Sequence, residues 1–87
     1  MNNQTRITQM TQRLEAELSP SSMHIDDESH LHAGHAGAKS GRGHFRLTIS
    51  SEKFKALRPL QQHRLIYDAL GDLMETEIHA LTIKIES

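Results

Sequence analysis

Apolar residues recur along the chain with a spacing that changes from segment to segment. In the first segment they return every three or four positions, which places them on one face of an α-helix. These positions are Ile7, Met10, Leu14 and Leu18. Thr5 is the predicted N-cap. Ser19-Pro20 is predicted to end the helix, because proline disfavours the helical conformation in the residue before it.

Three later segments alternate between apolar and polar residues, which is typical of strands with one buried face. They are SMHIDDE (22–28), HFRLTIS (44–50) and IHALTIKIES (78–87). In the second segment, the alternation assigns His44 to the polar face. In the third, it places His79 in phase with the apolar positions Leu81, Ile83 and Ile85, which favours a half-buried histidine over an exposed one.

A second helix is predicted to begin at Pro59, because its fixed φ suits the first turn of a helix. Gly71 falls inside this segment, where glycine costs roughly 1 kcal/mol relative to alanine, so we expect tight packing there. Phe54 is predicted to anchor a turn after the second strand. The apolar stripe of the second helix comprises His63, Ile66, Tyr67, Leu70, Leu73 and Met74.

The predicted order is therefore α-β-β-α-β. Both helices must cover the single apolar face of a three-stranded sheet, which gives a two-layer α+β sandwich. Residues 1–87 are interpreted as one domain, with a flexible loop rich in histidine and glycine at 29–43.

Size and composition argue against several classes of function for this chain. With 87 residues, 36% of them hydrophobic and no cysteine, the chain has little core to spare for a substrate pocket and offers no thiolate. No catalytic constellation is evident, which argues against an enzyme.

No apolar run is long enough to span a membrane. The N-terminus resembles neither a signal peptide nor a transit peptide, so a cytoplasmic location is expected.

Histidines mark the loop as a candidate metal site. His30, His32 and His35 lie in a segment that also holds four of the five glycines. One interpretation is a solvated loop without a role. The other is metal ligation, in which a residue elsewhere in the fold or a second protein completes the ligands, because structural zinc sites usually have four protein ligands. His79 is either a half-buried core histidine or a ligand held on a strand.

A run of basic residues forms a second candidate site. Lys53, Lys55, Arg58 and Arg64 share their segment with a single acid, Glu52. This pattern is compatible with a solvated positive face or with a patch that contacts phosphates. The segment lacks the interleaved aromatic residues on which single-strand binders stack bases.

Four strings taken together are similar to the BolA family over nearly the whole chain. They are DESHLHAGH, HFRLTISSEKF, LQQHRLIYDAL and IHALTIKI. The resemblance implies a BolA-type fold, like a class II KH domain. It also implies that the chain pairs with a monothiol glutaredoxin of the CGFS type and shares a two-iron, two-sulfur cluster with it and with glutathione. Alone, the chain is expected to carry no cofactor and to be a monomer or a weak homodimer.

The resemblance also implies site residues. His79, in the HAL string, and a loop histidine would be the cluster ligands. His32 matches the family pattern best, ahead of His30 and His35.

The basic residues Lys53, Lys55, Arg58 and Arg64 would dock the partner or its glutathione carboxylates. The alternative that the resemblance implies is a DNA-binding transcriptional regulator, in which the same residues would contact phosphates. Two departures weaken it: Ala56 stands where many members have glycine, and the G-x-x-G clamp of KH domains is missing.

Overall fold

The computed structural model describes residues 2–29 and 42–86, and the elements within them follow the predicted order. Helix α1 (Asn3–Leu18) is followed by strands β1 (Ser22–Asp27) and β2 (Gly43–Ser50). A 3₁₀ turn (Glu52–Phe54), helix α2 (Pro59–Leu70), the short helix α3 (Leu73–Thr76) and strand β3 (Ile78–Ile85) complete the described chain. The α+β prediction is confirmed, while the single domain over residues 1–87 stays a prediction.

The strands of the described residues form one sheet in the order β1-β2-β3. Strand β1 runs antiparallel to β2, whereas β2 and β3 are parallel. Parallel neighbours need a crossover connection, and helix α2 lies on that connection. The central strand is therefore the most enclosed, and Phe45, Leu47 and Ile49 are each at most 1% exposed.

One hydrophobic core joins the helices to the sheet. Its members are mainly aliphatic, as the composition predicts, and include Met10, Leu14 and Leu18 of the predicted α1 stripe. Helix α2 contributes Ile66, Ala69 and Leu70 to the same cluster. Phe54 is 4% exposed, which confirms that it anchors the turn after β2.

The first helix begins earlier than predicted. Asn2, not Thr5, is its N-cap, and the side-chain oxygen of Asn2 accepts a hydrogen bond of 2.8 Å from the Thr5 backbone N–H. The predicted end is confirmed, because Ser19 adopts a left-handed conformation with φ 44°.

The second helical segment is interrupted where the sequence pattern predicted continuity. Gly71 ends α2, with φ 55° and ψ −129°, and its N–H donates to the carbonyl of Tyr67. Glycine adopts a positive φ without the steric cost that other residues incur. The predicted apolar stripe also overstates burial, because Tyr67 is 40% exposed and His63 is only half-buried. The ring of His63 packs edge-on against the ring of Tyr67.

Candidate functional site

His79 lies on an irregularity of strand β3. Gly43 of β2 pairs with Ile78, and the next residue, His44, pairs with Ala80, so His79 is an extra residue with no partner on β2. An inserted residue of this kind redirects the side chains around it. Ile78 is buried and His79 is exposed. The prediction of a half-buried His79, made from its phase with Leu81, is therefore wrong.

The imidazole of His44 lies against that of His79. The two ring centroids are 4.9 Å apart and the ring planes are inclined by 48°. His44 is only 6% exposed. The alternation correctly assigned it to the face opposite Phe45, but the implied solvent exposure is wrong: His44 is buried, and the ring of His79 is one of its contacts.

Arg42 also contacts His79. Its Nη2 atom lies 3.1 Å from Nδ1 of His79, and its Nη1 atom is 3.4 Å from the carbonyl oxygen of Glu75. The guanidinium can only donate hydrogen bonds, so Nδ1 of His79 is the acceptor. This contact joins His79 on strand β3 to Arg42, which directly precedes β2. We call the part of the sheet that holds Arg42, His44 and His79 the corner.

A polar network fixes the backbone on both sides of residues 30–41. Asn3 Nδ2 donates to the hydroxyl of Ser29, which also accepts from the His44 backbone N–H, both at 3.0 Å. The Gly43 N–H donates to the carbonyl of Glu77 at 3.0 Å. Residues near the start of α1 therefore contribute to positioning the corner that carries His44 and His79.

An ion pair completes this network. Arg6 Nε lies 2.9 Å from Oε1 of Glu77, and the two side chains are 11% and 18% exposed. The hydrogen bond from Arg6 holds the pKa of Glu77 below its ordinary value. Arg6 also donates to Asn3 Oδ1 at 2.8 Å.

The predicted loop ligands His30, His32 and His35 lie outside the described residues. Within residues 2–29 and 42–86, no group of three or more histidine, cysteine, aspartate or glutamate side chains could hold a metal ion. His79 would therefore need ligands from the loop or from a second protein. An exposed imidazole at the edge of the described sheet fits the second arrangement, because it can reach a group held between two molecules.

The four basic candidates are all exposed but differ in their contacts. Lys53 Nζ donates to the carbonyl of Glu17 at 2.8 Å, and Lys55 Nζ lies 2.9 Å from the carboxylate of Glu52. Arg58 and Arg64 are exposed at the start of α2 and along it. All four basic side chains are thus exposed, and the two lysines also contact Glu17 and Glu52.

Sequence reasoning missed Arg6, Arg42 and the burial of His44 as features of this corner. Arg6 falls one position before the apolar Ile7, yet its side chain is on the buried face of α1 with Met10 and Leu14. No local pattern indicates a partner 71 residues away. The signal in the sequence was its spacing of four residues from Met10, which puts Arg6 in phase with the apolar stripe.

The fold is that of a small α+β domain with a three-stranded sheet, and comparison with known proteins specifies the family. A family model described as BolA-like protein matches residues 14–87. This chain belongs to the BolA-like family.

Named relatives agree with that assignment. The chain is 38% identical to SufE-like protein 1, chloroplastic/mitochondrial, of Arabidopsis thaliana over 91% of its length and 23% of that protein's. It is 37% identical to Protein BOLA1, chloroplastic, of the same plant, over 92% and 52%. It is 38% identical to the DNA-binding transcriptional regulator BolA of Haemophilus influenzae, over 83% and 67%. The chain thus spans about half or less of the two plant proteins.

Solved structures agree as well. The BolA domain of SufE1 from Arabidopsis thaliana superposes with a TM-score of 0.80 at 34% identity, over 99% of this chain and 93% of that one. The BolA-type fold expected from the sequence is confirmed.

Proposed function

We propose that this chain binds a monothiol glutaredoxin and contributes ligands to a two-iron, two-sulfur cluster that bridges the two proteins. His79 would be one ligand and a loop histidine the other, with His32 preferred over His30 and His35. The glutaredoxin and its glutathione would supply the thiolates that a chain without cysteine cannot provide. The role is in cluster trafficking or iron homeostasis, by binding rather than by catalysis.

The observation that carries this proposal is the exposure of His79 at the edge of the described sheet. A structural histidine of the core would be enclosed, whereas this ring is exposed next to the residues that lead out of the loop. The network of Asn3, Ser29 and Gly43 fixes the backbone around it. Ligands held by rigid elements keep the geometry that a metal site needs.

When bound, such a cluster would supply one-electron redox chemistry or itself be transferred to another protein. The chain's own residues would have distinct tasks. His79 would present a nitrogen to the cluster, and His44 would limit the rotation of that ring through their contact at 4.9 Å. The loop would supply the second histidine.

Anaerobic cluster reconstitution with a CGFS glutaredoxin and glutathione tests the proposal, with visible circular dichroism as the readout. We expect a heterodimer spectrum that differs from that of the glutaredoxin homodimer and that His79→Ala removes or alters. His24→Ala is the matched control, because His24 is also an exposed strand histidine and pairs with Asp26 at 2.7 Å. An unchanged homodimer spectrum with the wild-type chain would refute the proposal.

DNA binding is the second candidate, favoured by Arg58 and Arg64 at the exposed surface of α2 and by the name of the Haemophilus relative. In this case Arg58→Ala and Arg64→Ala would each lower the salt slope of DNA affinity by about 1. Lys84→Ala on β3 is the control for an exposed cation elsewhere, and His79→Ala should have no effect. If the salt slope of DNA affinity is the same in all four variants, a specific role for α2 in DNA binding is excluded.

The location and oligomeric state complete the proposal. No helix within the described residues has the length and apolar character to cross a membrane. We propose the cytoplasm as the location, although two plant relatives have plastid or mitochondrial names. Without its partner the chain would be a monomer or a weak homodimer.

A further inference from the structure

The contact between Arg42 and His79 restricts the protonation state of the imidazole. Nη2 of Arg42 is 3.1 Å from Nδ1 of His79, and a guanidinium has no acceptor. Nδ1 must therefore accept the hydrogen bond and carry no proton. In a neutral imidazole the proton is then on Nε2.

This tautomer offers no ring nitrogen to a metal ion while the contact persists. Nε2 carries the proton, and the lone pair of Nδ1 points to the guanidinium. A metal-ligating histidine usually donates its second ring N–H to a carboxylate, a carbonyl or water. Arg42 cannot accept such a bond, so coordination through either nitrogen requires its guanidinium to move.

We propose that Arg42 is a positioning residue that holds His79 in the Nε2–H tautomer, in which neither ring nitrogen can bind a metal. We call this restraint the guard. The inference rests on the proposed function, in which His79 is a metal ligand. His79 is exposed, and Nη1 of Arg42 also lies 3.4 Å from the Glu75 carbonyl oxygen. A hydrogen bond of this kind changes an equilibrium constant by about fivefold.

The first test is direct observation of the tautomer. Imidazole ¹⁵N NMR spectra would be recorded at pH 8 without metal for the wild-type chain, Arg42→Met and Arg46→Met. Arg46→Met is the matched control, because Arg46 carries the same charge on β2 but pairs with Glu28 at 3.5 Å. We expect the Nε2–H form of His79 in the wild type and Arg46→Met, and a mixture of tautomers in Arg42→Met. A wild-type ring with its proton on Nδ1 would overturn the proposal.

The second test uses Zn²⁺ alone as the probe, followed through the ring signals of His79. Removing the guard should lower the Zn²⁺ concentration for half-saturation about fivefold in Arg42→Met, and less than twofold in Arg46→Met. Equal changes in both variants would mean that the net charge of the chain, and not the contact between Arg42 and His79, opposes the metal. That result, or the absence of any zinc-dependent change at His79, would also overturn the guard.

These outcomes separate the guard from the proposed function. If the tautomer and zinc results are as expected but cluster reconstitution is indifferent to His79→Ala, the guard stands and the cluster proposal fails. If reconstitution needs His79 while zinc binding is indifferent to Arg42→Met, the cluster proposal stands and the guard fails.

Discussion

The guanidinium of Arg6 lies 2.9 Å from the carboxylate of Glu77, and this pair joins the first turns of α1 to the residue that precedes β3. Both side chains are largely enclosed. Removing one partner of an enclosed ion pair leaves the other without compensation. The pair therefore helps to hold the start of β3, and with it His79, in a defined position.

The Arg6–Glu77 pair predicts a pH dependence of stability. Arg6 lowers the pKa of Glu77 below its ordinary value of 4.5. A lowered pKa in the folded state adds stability that is present above that ordinary value and is lost as the pH falls through the folded-state pKa. We expect the difference in Tm between the wild type and Glu77→Gln to be largest near pH 6 and to shrink below about pH 4.

A surface pair provides the control for this experiment. Arg13 lies 2.6 Å from Asp72 and lowers the pKa of that carboxyl, but the two side chains are 39% and 71% exposed. Solvent and salt screen such pairs. Asp72→Asn should therefore change Tm less than Glu77→Gln near pH 6, and the prediction is contradicted if Glu77→Gln shows the same difference at about pH 6 and at about pH 3.

The two histidines of the corner should differ sharply in their contribution to stability. His79→Ala should leave the free energy of unfolding within about 0.5 kcal/mol of the wild type, because the side chain is exposed. His44→Ala should cost about 1–3 kcal/mol, because it removes a ring that is only 6% exposed. Urea unfolding measures both, and a loss of 2 kcal/mol or so in His79→Ala would show that its ring is structural.

Ala56→Gly should stabilise the fold. Ala56 has φ 66°, in the left-handed region that costs an alanine roughly 1–2 kcal/mol. Glycine removes this cost but gains freedom in the unfolded chain, so we expect a net gain of about 0.5–1 kcal/mol. The matched variant Ala16→Gly, on the exposed side of α1, should lose about 1 kcal/mol. Destabilisation of both variants in thermal melts would contradict the prediction.

Gly43→Ala should destabilise the corner of the sheet. A Cβ atom at this position would lie 2.4 Å from the Phe45 ring and 3.0 Å from Asn3 Oδ1. Overpacking of this kind typically costs about 1–3 kcal/mol. Hydrogen exchange should show weaker protection of the Gly43 N–H, which donates to Glu77. Unchanged stability would mean that Phe45 moves aside without cost.

The fold was largely predictable because its elements rest on short-range periodicity. The α1 stripe, the alternation in β1 and β2, and Pro59 at the start of α2 are all local patterns, and each has its counterpart in the structure. The end of helix α2 at Gly71 was not predicted, because short-range periodicity was the only guide there. The stripe continues past it to Leu73 and Met74, and periodicity alone does not reveal a change in backbone direction.

The site was predictable only in part. His79 was a candidate ligand from its place on the third strand, and the family resemblance strengthened that prediction. Its exposure depends on the register between β2 and β3, where one strand holds an extra residue. Strand register is a relation between two segments, so neither segment contains it. The loop histidines lie outside the described residues, and their role stays a prediction.

The sequence by itself determined the order of the elements, the aliphatic core and the family, because hydrophobic spacing and characteristic strings act within short stretches of chain. Only the tertiary structure decided which polar groups meet. Arg6 reaches Glu77 across 71 positions, and Arg42 reaches His79 across 37. Such contacts depend on the directions in which packed elements present their side chains, and those directions arise only when the sheet and helices assemble.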